Sequence, residues 1–208
     1  MDDPYLITSA NDFKQLATEV NGGNNYSNTY FKIPETVTET IELSTDDGYV
    51  PIGNDTNQFE GTFDGGNHTI NLNLTGERLV GLFGEGGENS NLCNIRTTGS
   101  VSMTGYYAGG IVANMYGNVV NCHNEASVTG YYHVGGIVGI SDNSKYIINC
   151  SNSGAIVGNM NVGGIVGNIS TLKVINCLNT GTVQGSGCGG IAGRSEERRV
   201  GKECRSRW

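Results

Sequence analysis

One short phrase, repeated between Val80 and Gly193, constrains the fold of this chain more than any other feature. Gly81-Leu82-Phe83-Gly84 is followed by Gly109-Gly110-Ile111-Val112-Ala113, Gly135-Gly136-Ile137-Val138-Gly139, Gly163-Gly164-Ile165-Val166-Gly167 and Gly189-Gly190-Ile191-Ala192-Gly193. A second phrase alternates with the first: Asn121-Cys122, Asn149-Cys150 and Asn176-Cys177, with Asn94-Ile95 in the equivalent place of the first copy. From Asn94 onward the steps are 27, 28 and 27 residues. Self-similarity at such a period marks an architecture of stacked units, each too small to bury its own apolar face and each completed by its neighbours.

Within a repeat, Gly and Asn turns separate three short apolar segments. In the second copy these are Gly110 to Ala113, Val119 to His123 and Ser127 to Thr129. Putting the copies in phase sets like on like in four columns: Ile111, Ile137, Ile165 and Ile191; Val120, Ile148 and Ile175; Cys122, Cys150 and Cys177; and Val128, Ile156 and Val183. Four apolar columns running the length of the array make a continuous core, with backbone hydrogen bonds between coils about 4.8 Å apart. The expected fold is therefore all-β, a parallel β-solenoid (β-helix) of about 27-residue coils, where paired glycines mark tight turns or close backbone approaches.

The residues before the array read as its beginning. Tyr5-Leu6-Ile7 is a short strand, and Ser9 with Asp12 three residues on is a near relative of the capping box. Phe13, Leu16, Ala17 and Val20 follow at i, i+3, i+4 and i+7, with Gly22-Gly23 as the stop, so a short capping α-helix is expected over about 9–21. Tyr30 to Ile33, Thr40 to Leu43, and the alternating Ile70, Leu72 and Leu74 read as less regular first strands. This divides the chain into an N-terminal cap over 1–50, solenoid repeats over 51–193 and a tail over 194–208. The tail breaks the repeat in mid-phrase and resembles the translation of a sequencing-adapter oligonucleotide, so it is expected to be foreign to the fold. The true start is expected upstream of Met1.

Charge excludes one class of partner. The formal net charge is −8, and leaving out 194–208, which holds six of the twelve basic and three of the twenty acidic residues, makes it −11. Nucleic-acid binding draws its affinity from Lys and Arg on phosphates, so none is expected here. No apolar run approaches the roughly 20 residues that span a bilayer, and Met1 to Pro4 do not read as a secretory signal, having neither a basic nor an apolar region.

The motifs resemble a known family. Val80-Gly81-Leu82-Phe83-Gly84 is similar to the GLUG motif, and the Gly-Gly-Ile-Val-Gly and Asn-Cys phrases look like the repeats that extend it in bacterial surface proteins. Asp3-Pro4-Tyr5, Pro51-Ile52-Gly53 and the run from Phe59 to Asn67 (Phe-Glu-Gly-Thr-Phe-Asp-Gly-Gly-Asn) resemble the usual lead-in. The resemblance covers nearly all of 3–193. It implies an adhesin-like protein, or a region adjoining an IgA-type metallopeptidase, that is extracellular or at the cell surface. It carries no catalytic or binding residue onto positions of this chain.

No catalytic, cofactor-binding or metal site emerges from the residues themselves. The repeat phase makes Cys122, Cys150 and Cys177 inward small hydrophobes and puts Cys93 in the column of Val120, Ile148 and Ile175, so mostly free thiols are expected. No Cys-x-x-Cys and no His-Glu-x-x-His is present. His123 and His133 fall at variable surface positions. Asp46, Asp47, Asp55, Glu60 and Asp64 are the densest acidic region, and their spacing matches no calcium-binding loop. Tyr106, Tyr107, Tyr131 and Tyr132 are expected to cluster at one corner of adjacent coils, as exposed aromatics that a glycan or protein could engage. Stacked Asn and packed Tyr as purely structural features are the plainer alternative. The expected function is a non-enzymatic, adhesin-like repeat segment, a rigid spacer and a candidate surface for host or cell-surface glycan or protein. The alternatives are a β-solenoid carbohydrate-active enzyme and the non-catalytic arm of a larger surface peptidase.

Overall fold

The computed structural model describes residues 4–141, 146–170 and 173–195. It is a parallel β-solenoid built on three sheets, of seven, twelve and five strands, in which every strand pairing is parallel. The seven-stranded sheet counts the coils: Tyr5–Leu6, Tyr30–Lys32, Thr62–Asp64, Asn91–Cys93, Asn118–Val120, Tyr146–Ile148 and Lys173–Ile175 lie side by side in chain order. Register follows the repeat, with Val119 opposite Leu92 on one side and Ile147 on the other.

The helix forms where the capping box places it. It runs Ala10–Asn21 with Ser9 as N-cap, and the Ser9 hydroxyl accepts from the Asp12 N–H while the Asp12 carboxylate accepts from the Ser9 N–H. Phe13, Leu16, Ala17 and Val20 are all buried, and the Phe13 ring lies 5.5 Å from that of Phe63. Phe63 in turn packs against Phe83, the aromatic of the first repeated phrase, at 5.3 Å. A chain of rings thus ties the cap to the first repeat.

The core is the set of inward columns, with one displaced from expectation. Ile111, Ile137, Ile165 and Ile191 stack inside, as do Cys122, Cys150 and Cys177 and, for the first two members, Val128 and Ile156 with Val183 half-buried. The column of Val120, Ile148 and Ile175 faces outward instead, and Ile175 is 44% exposed. Their neighbours Val119 and Ile147 fill the core, with Val174 packed against it. Cys93 shares the outward column, opposite Val120, and is only half-buried. The cause is the asparagine after each strand. Asn94, Asn121, Asn149 and Asn176 all have φ between 51° and 54°, a left-handed turn that puts two consecutive residues outside and resets the in–out alternation. The strand after the Gly-Gly pair also starts later than expected, at Val112–Met115 rather than Gly110.

Arg194 and Ser195 belong to the last described strand, Ala192–Ser195, where they pair with Asn168 and Ile169. Two residues assigned by sequence to the tail therefore continue the coil, and 196–208 lie outside the described residues. No described helix is long and apolar enough to cross a membrane.

Candidate binding surface

Two asparagine ladders hold the corners of the coils in place. The inner one is buried: Asn124 Nδ2 donates to Asn152 Oδ1 at 2.7 Å, and Asn152 Nδ2 to Asn179 Oδ1 at 2.8 Å, while Thr97 Oγ1 donates into the top of the ladder at 2.9 Å. Each amide also donates to the carbonyl two residues on, at Ala126, Gly154 and Gly181, which satisfies groups that would be costly to bury alone. The outer ladder is solvent-facing and runs Asp64, Asn94, Asn121, Asn149, Asn176, each amide donating to the residue before it. Asp64 heads it and also accepts from Tyr30 Oη at 2.9 Å. Burial pushes the Asp64 carboxyl up, but the bonds from Asn94, Gly66 and Tyr30 outweigh it and hold it below the ordinary carboxylate range. Burial and the Asp64 partner push the Tyr30 phenol up to about 12. Both ladders are structural in their contacts.

Tyr106, Tyr107, Tyr131 and Tyr132 come together at one corner of adjacent coils, in the register of the Gly-Gly phrases. Tyr107–Gly109 pairs with Tyr132–Gly135 so that Ala108 sits opposite Val134. Tyr106 therefore stacks over Tyr132, rings 5.9 Å apart and 14° from parallel, and Tyr107 lies over His133 at 5.3 Å. Tyr131 stands across Tyr132 at 4.6 Å and 83°. Tyr106 and Tyr131 are 55% and 47% exposed, whereas Tyr107 and Tyr132 are half-buried. The column continues into Met160, opposite Tyr132 and itself exposed. Beside it, His133 and Asn161 share a hydrogen bond of 3.3 Å and a left-handed backbone, which histidine and asparagine tolerate better than most residues. His133 is thus half-buried and bonded, more than the loose surface position read from the repeat. The result is an aromatic and thioether surface spanning three coils.

The other candidates resolve into structure. Cys122, Cys150 and Cys177 are buried and stacked, and the five described cysteines are free thiols. Cys122 Sγ donates to the Val120 carbonyl at 3.4 Å, and Cys150 Sγ does the same to Ile148. The acidic residues are dispersed among separate partners: Asp55 pairs with Arg78 at 3.0 Å, and Glu60 accepts from the Asn89 N–H at 2.9 Å. Among the described residues no three His, Cys, Asp or Glu side chains could hold one metal ion.

One arrangement was not singled out from the sequence, although His123 and Ser151 stand one repeat apart in equivalent positions. His123 Nδ1 lies 2.6 Å from Ser151 Oγ, and its Nε2 lies 3.2 Å from Glu125 Oε1, the order hydroxyl, imidazole, carboxylate of a hydrolytic triad. It joins residues 28 apart that become neighbours only when coils stack. The flanking N–H groups that would stabilise an oxyanion are committed to the ladder, Ser151 N to the Cys122 carbonyl and Ser153 N to that of Asn124, both at 2.9 Å. Arg96 draws Glu125 from the other side at 3.4 Å. The group is an outward cross-strand network.

No protein-family model matches the chain. Among curated proteins it is 35% identical over 148 residues to halomucin of Haloquadratum walsbyi, covering 67% of this chain and 2% of that protein. It is 30% identical over 131 residues to a protein of Evansella cellulosilytica provisionally named a Gly-rich membrane protein, covering 60% of this chain and 15% of that one. The chain thus spans only a small part of the curated relatives it matches. Among solved structures it resembles a protein of Bacteroides ovatus, provisionally named an immunoglobulin A1 protease, with a TM-score of 0.57 at 18% identity, covering 86% of this chain and 76% of that one. That likeness is one of fold.

Proposed function

We propose that this chain is a non-enzymatic repeat segment of an extracellular or cell-surface bacterial protein, of the GLUG-repeat kind. It acts as a rigid spacer and presents the tyrosine corner to a glycan or protein. The observation that carries the reading is the parallel register of equivalent positions kept through all seven strands of the sheet from Tyr5–Leu6 to Lys173–Ile175, which makes a rod lengthened by about 4.8 Å for each coil added. The relatives named halomucin and Gly-rich membrane protein support a surface setting, and a short stretch of a much longer protein suits a spacer. The provisional protease name of the fold relative favours a second reading, the non-catalytic arm of a larger surface peptidase. A β-solenoid carbohydrate-active enzyme finds less support, since the Ser151 and Ser153 N–H groups beside the hydroxyl–imidazole–carboxylate group are already bonded to the neighbouring coil.

The corner is tested by immobilising the chain and measuring capture of glycans and of whole cells, with the wild type beside a variant carrying Tyr106→Ala and Tyr131→Ala. Both residues are exposed, so the variant should melt like the parent. Binding by the wild type that the variant loses supports the site. Equal binding by both moves the contact elsewhere on the rod.

A further inference from the structure

A second concave feature lies at the opposite end from the last coil and owes nothing to the tyrosine corner. Between the helix and the first strand is a cavity of about 200 Å³, small beside the pockets that hold drug-sized ligands. One wall is aromatic: Tyr26 meets Phe31 edge to face at 5.0 Å and 88°, and Tyr5 lies 5.3 Å from Phe31 and 6.2 Å from Tyr26. Tyr5 is 59% exposed although it sits directly opposite the buried Phe31 of the next coil, so the end of the aromatic stack is left open.

The facing wall is the helix side that carries Asp12, Gln15 and Glu19 at successive turns. Among the described residues Glu19 is held by neutral donors, Gln15 Nε2 on Oε1 at 2.9 Å and the Tyr26 hydroxyl on Oε2. Asp12 takes its three donors, Thr8 N, Thr8 Oγ1 and Ser9 N, all on Oδ2. Among the described residues no lysine, arginine or histidine lines the cavity. Two carboxylates at its ends and aromatic faces, negative in their own right, therefore meet with no cation supplied by the lining.

We propose that this cavity is a binding site for a primary alkylammonium group, its methylene stem against Tyr5 and Phe31 and its charge beside the Glu19 carboxylate that the Tyr26 hydroxyl already holds. The same chemistry comes from a lysine side chain or from a free amine. The outer edge of Tyr5–Leu6 favours the lysine of a peptide, because among the described residues this strand pairs only with Tyr30–Lys32 and leaves one edge open to an added strand.

The test uses the full chain and three probes, N-acetyl-Gly-Lys-Gly-amide, the same peptide with norleucine for lysine, and cadaverine, followed by amide shifts of residues 5–31. The lysine peptide should shift residues on both walls, cadaverine should do so more weakly, and the norleucine peptide should not. Glu19→Gln keeps a partner for the Tyr26 hydroxyl and should weaken the lysine peptide about tenfold, the scale of one lost charge contact. Should that variant fold poorly, Tyr5→Ala, at an exposed position, should weaken binding with the fold intact. Equal shifts from the lysine and norleucine peptides, or none from either amine, overturn the proposal. Binding of cadaverine as tight as the lysine peptide assigns the site to free amines. Because these residues are remote in sequence from the tyrosine corner, loss of one site leaves the other measurable.

Discussion

Asn152 and the Gly164 carbonyl share the space that any side chain on Gly136 would need: a Cβ at Gly136 would stand 2.2 Å from the Gly164 oxygen, 2.5 Å from Asn152 Cγ and 2.6 Å from its Oδ1. Gly110 stands in the same relation to Asn124, at 2.5 Å from Cγ, and Gly164 to Asn179, at 2.5 Å from Nδ2. The two phrases of the repeat are therefore one device, the second glycine of each pair being the seat of a buried asparagine from the other side of the coil.

Gly136→Ala should accordingly destabilise the protein by more than the usual cost of about 1 kcal/mol for a point change, because neither the Asn152 ladder nor the Gly164 backbone can give way. Urea unfolding of Gly136→Ala, Asn152→Ala and the double variant checks this. The double variant should cost less than the sum of the singles, since the two residues contend for one space. Strict additivity would show that the contact does not decide the glycine.

Ile147 and Ile148 separate the observed core from the expected one. Ile147 is buried and Ile148 faces out. Ile147→Ala should cost about 2–5 kcal/mol, and Ile148→Ala less than about 1 kcal/mol. Equal costs in a denaturant titration would refute the assigned register.

The same pair shows what the sequence could and could not convey. The 27-residue period, the capping box and the helical stripe are patterns of spacing, and each became the expected element. Val119-Val120, Ile147-Ile148 and Val174-Ile175 are doublets of equal hydrophobicity, so composition does not say which member faces in. The left-handed asparagine decides it, and a one-residue slip reverses every side chain in a strand. The tyrosine corner was legible as a cluster, but which ring stacks on which follows from the same register. The repeat period puts His123 opposite Ser151, but it does not say that the imidazole also reaches Glu125, and the cavity beside Tyr5 depends on residues distant in sequence whose contact no period announces.

Glu85 gives a pH dependence. It is 5% exposed, and burial pushes its carboxyl above the ordinary glutamate value of 4.5, with the charge of Asp55 adding to the rise and the bond from Gln58 opposing it. The folded protein thus holds this proton more tightly than the unfolded chain. Its contribution to stability is fully present below pH 4.5 and is lost as pH rises through the folded value. Glu85→Gln should remove that part of the pH profile and raise the melting temperature at neutral pH relative to the wild type. A variant whose melting temperature stays parallel to the wild type from pH 4 to 7 would exclude Glu85 as the source.

Thiol reactivity should follow position in the coil. The thiolate is the reactive form, and hydrogen bonding to the neighbouring thiol, together with burial, pushes Cys150 and Cys177 well above the ordinary thiol range. Cys93, on the outward column, is pushed up to about 11 by burial and by the Asp64 charge, so it too is mostly protonated at neutral pH. Cys188 is exposed. Among the described cysteines, pulsed alkylation of the native protein with iodoacetamide, mapped by peptide mass spectrometry, should therefore label Cys188 first and Cys93 slowly. Cys122, Cys150 and Cys177 should be labelled only as the coils unfold in urea. Their modification in native protein at the rate of Cys188 would mean that the inner column opens without unfolding, and the solenoid could then not act as a rigid spacer.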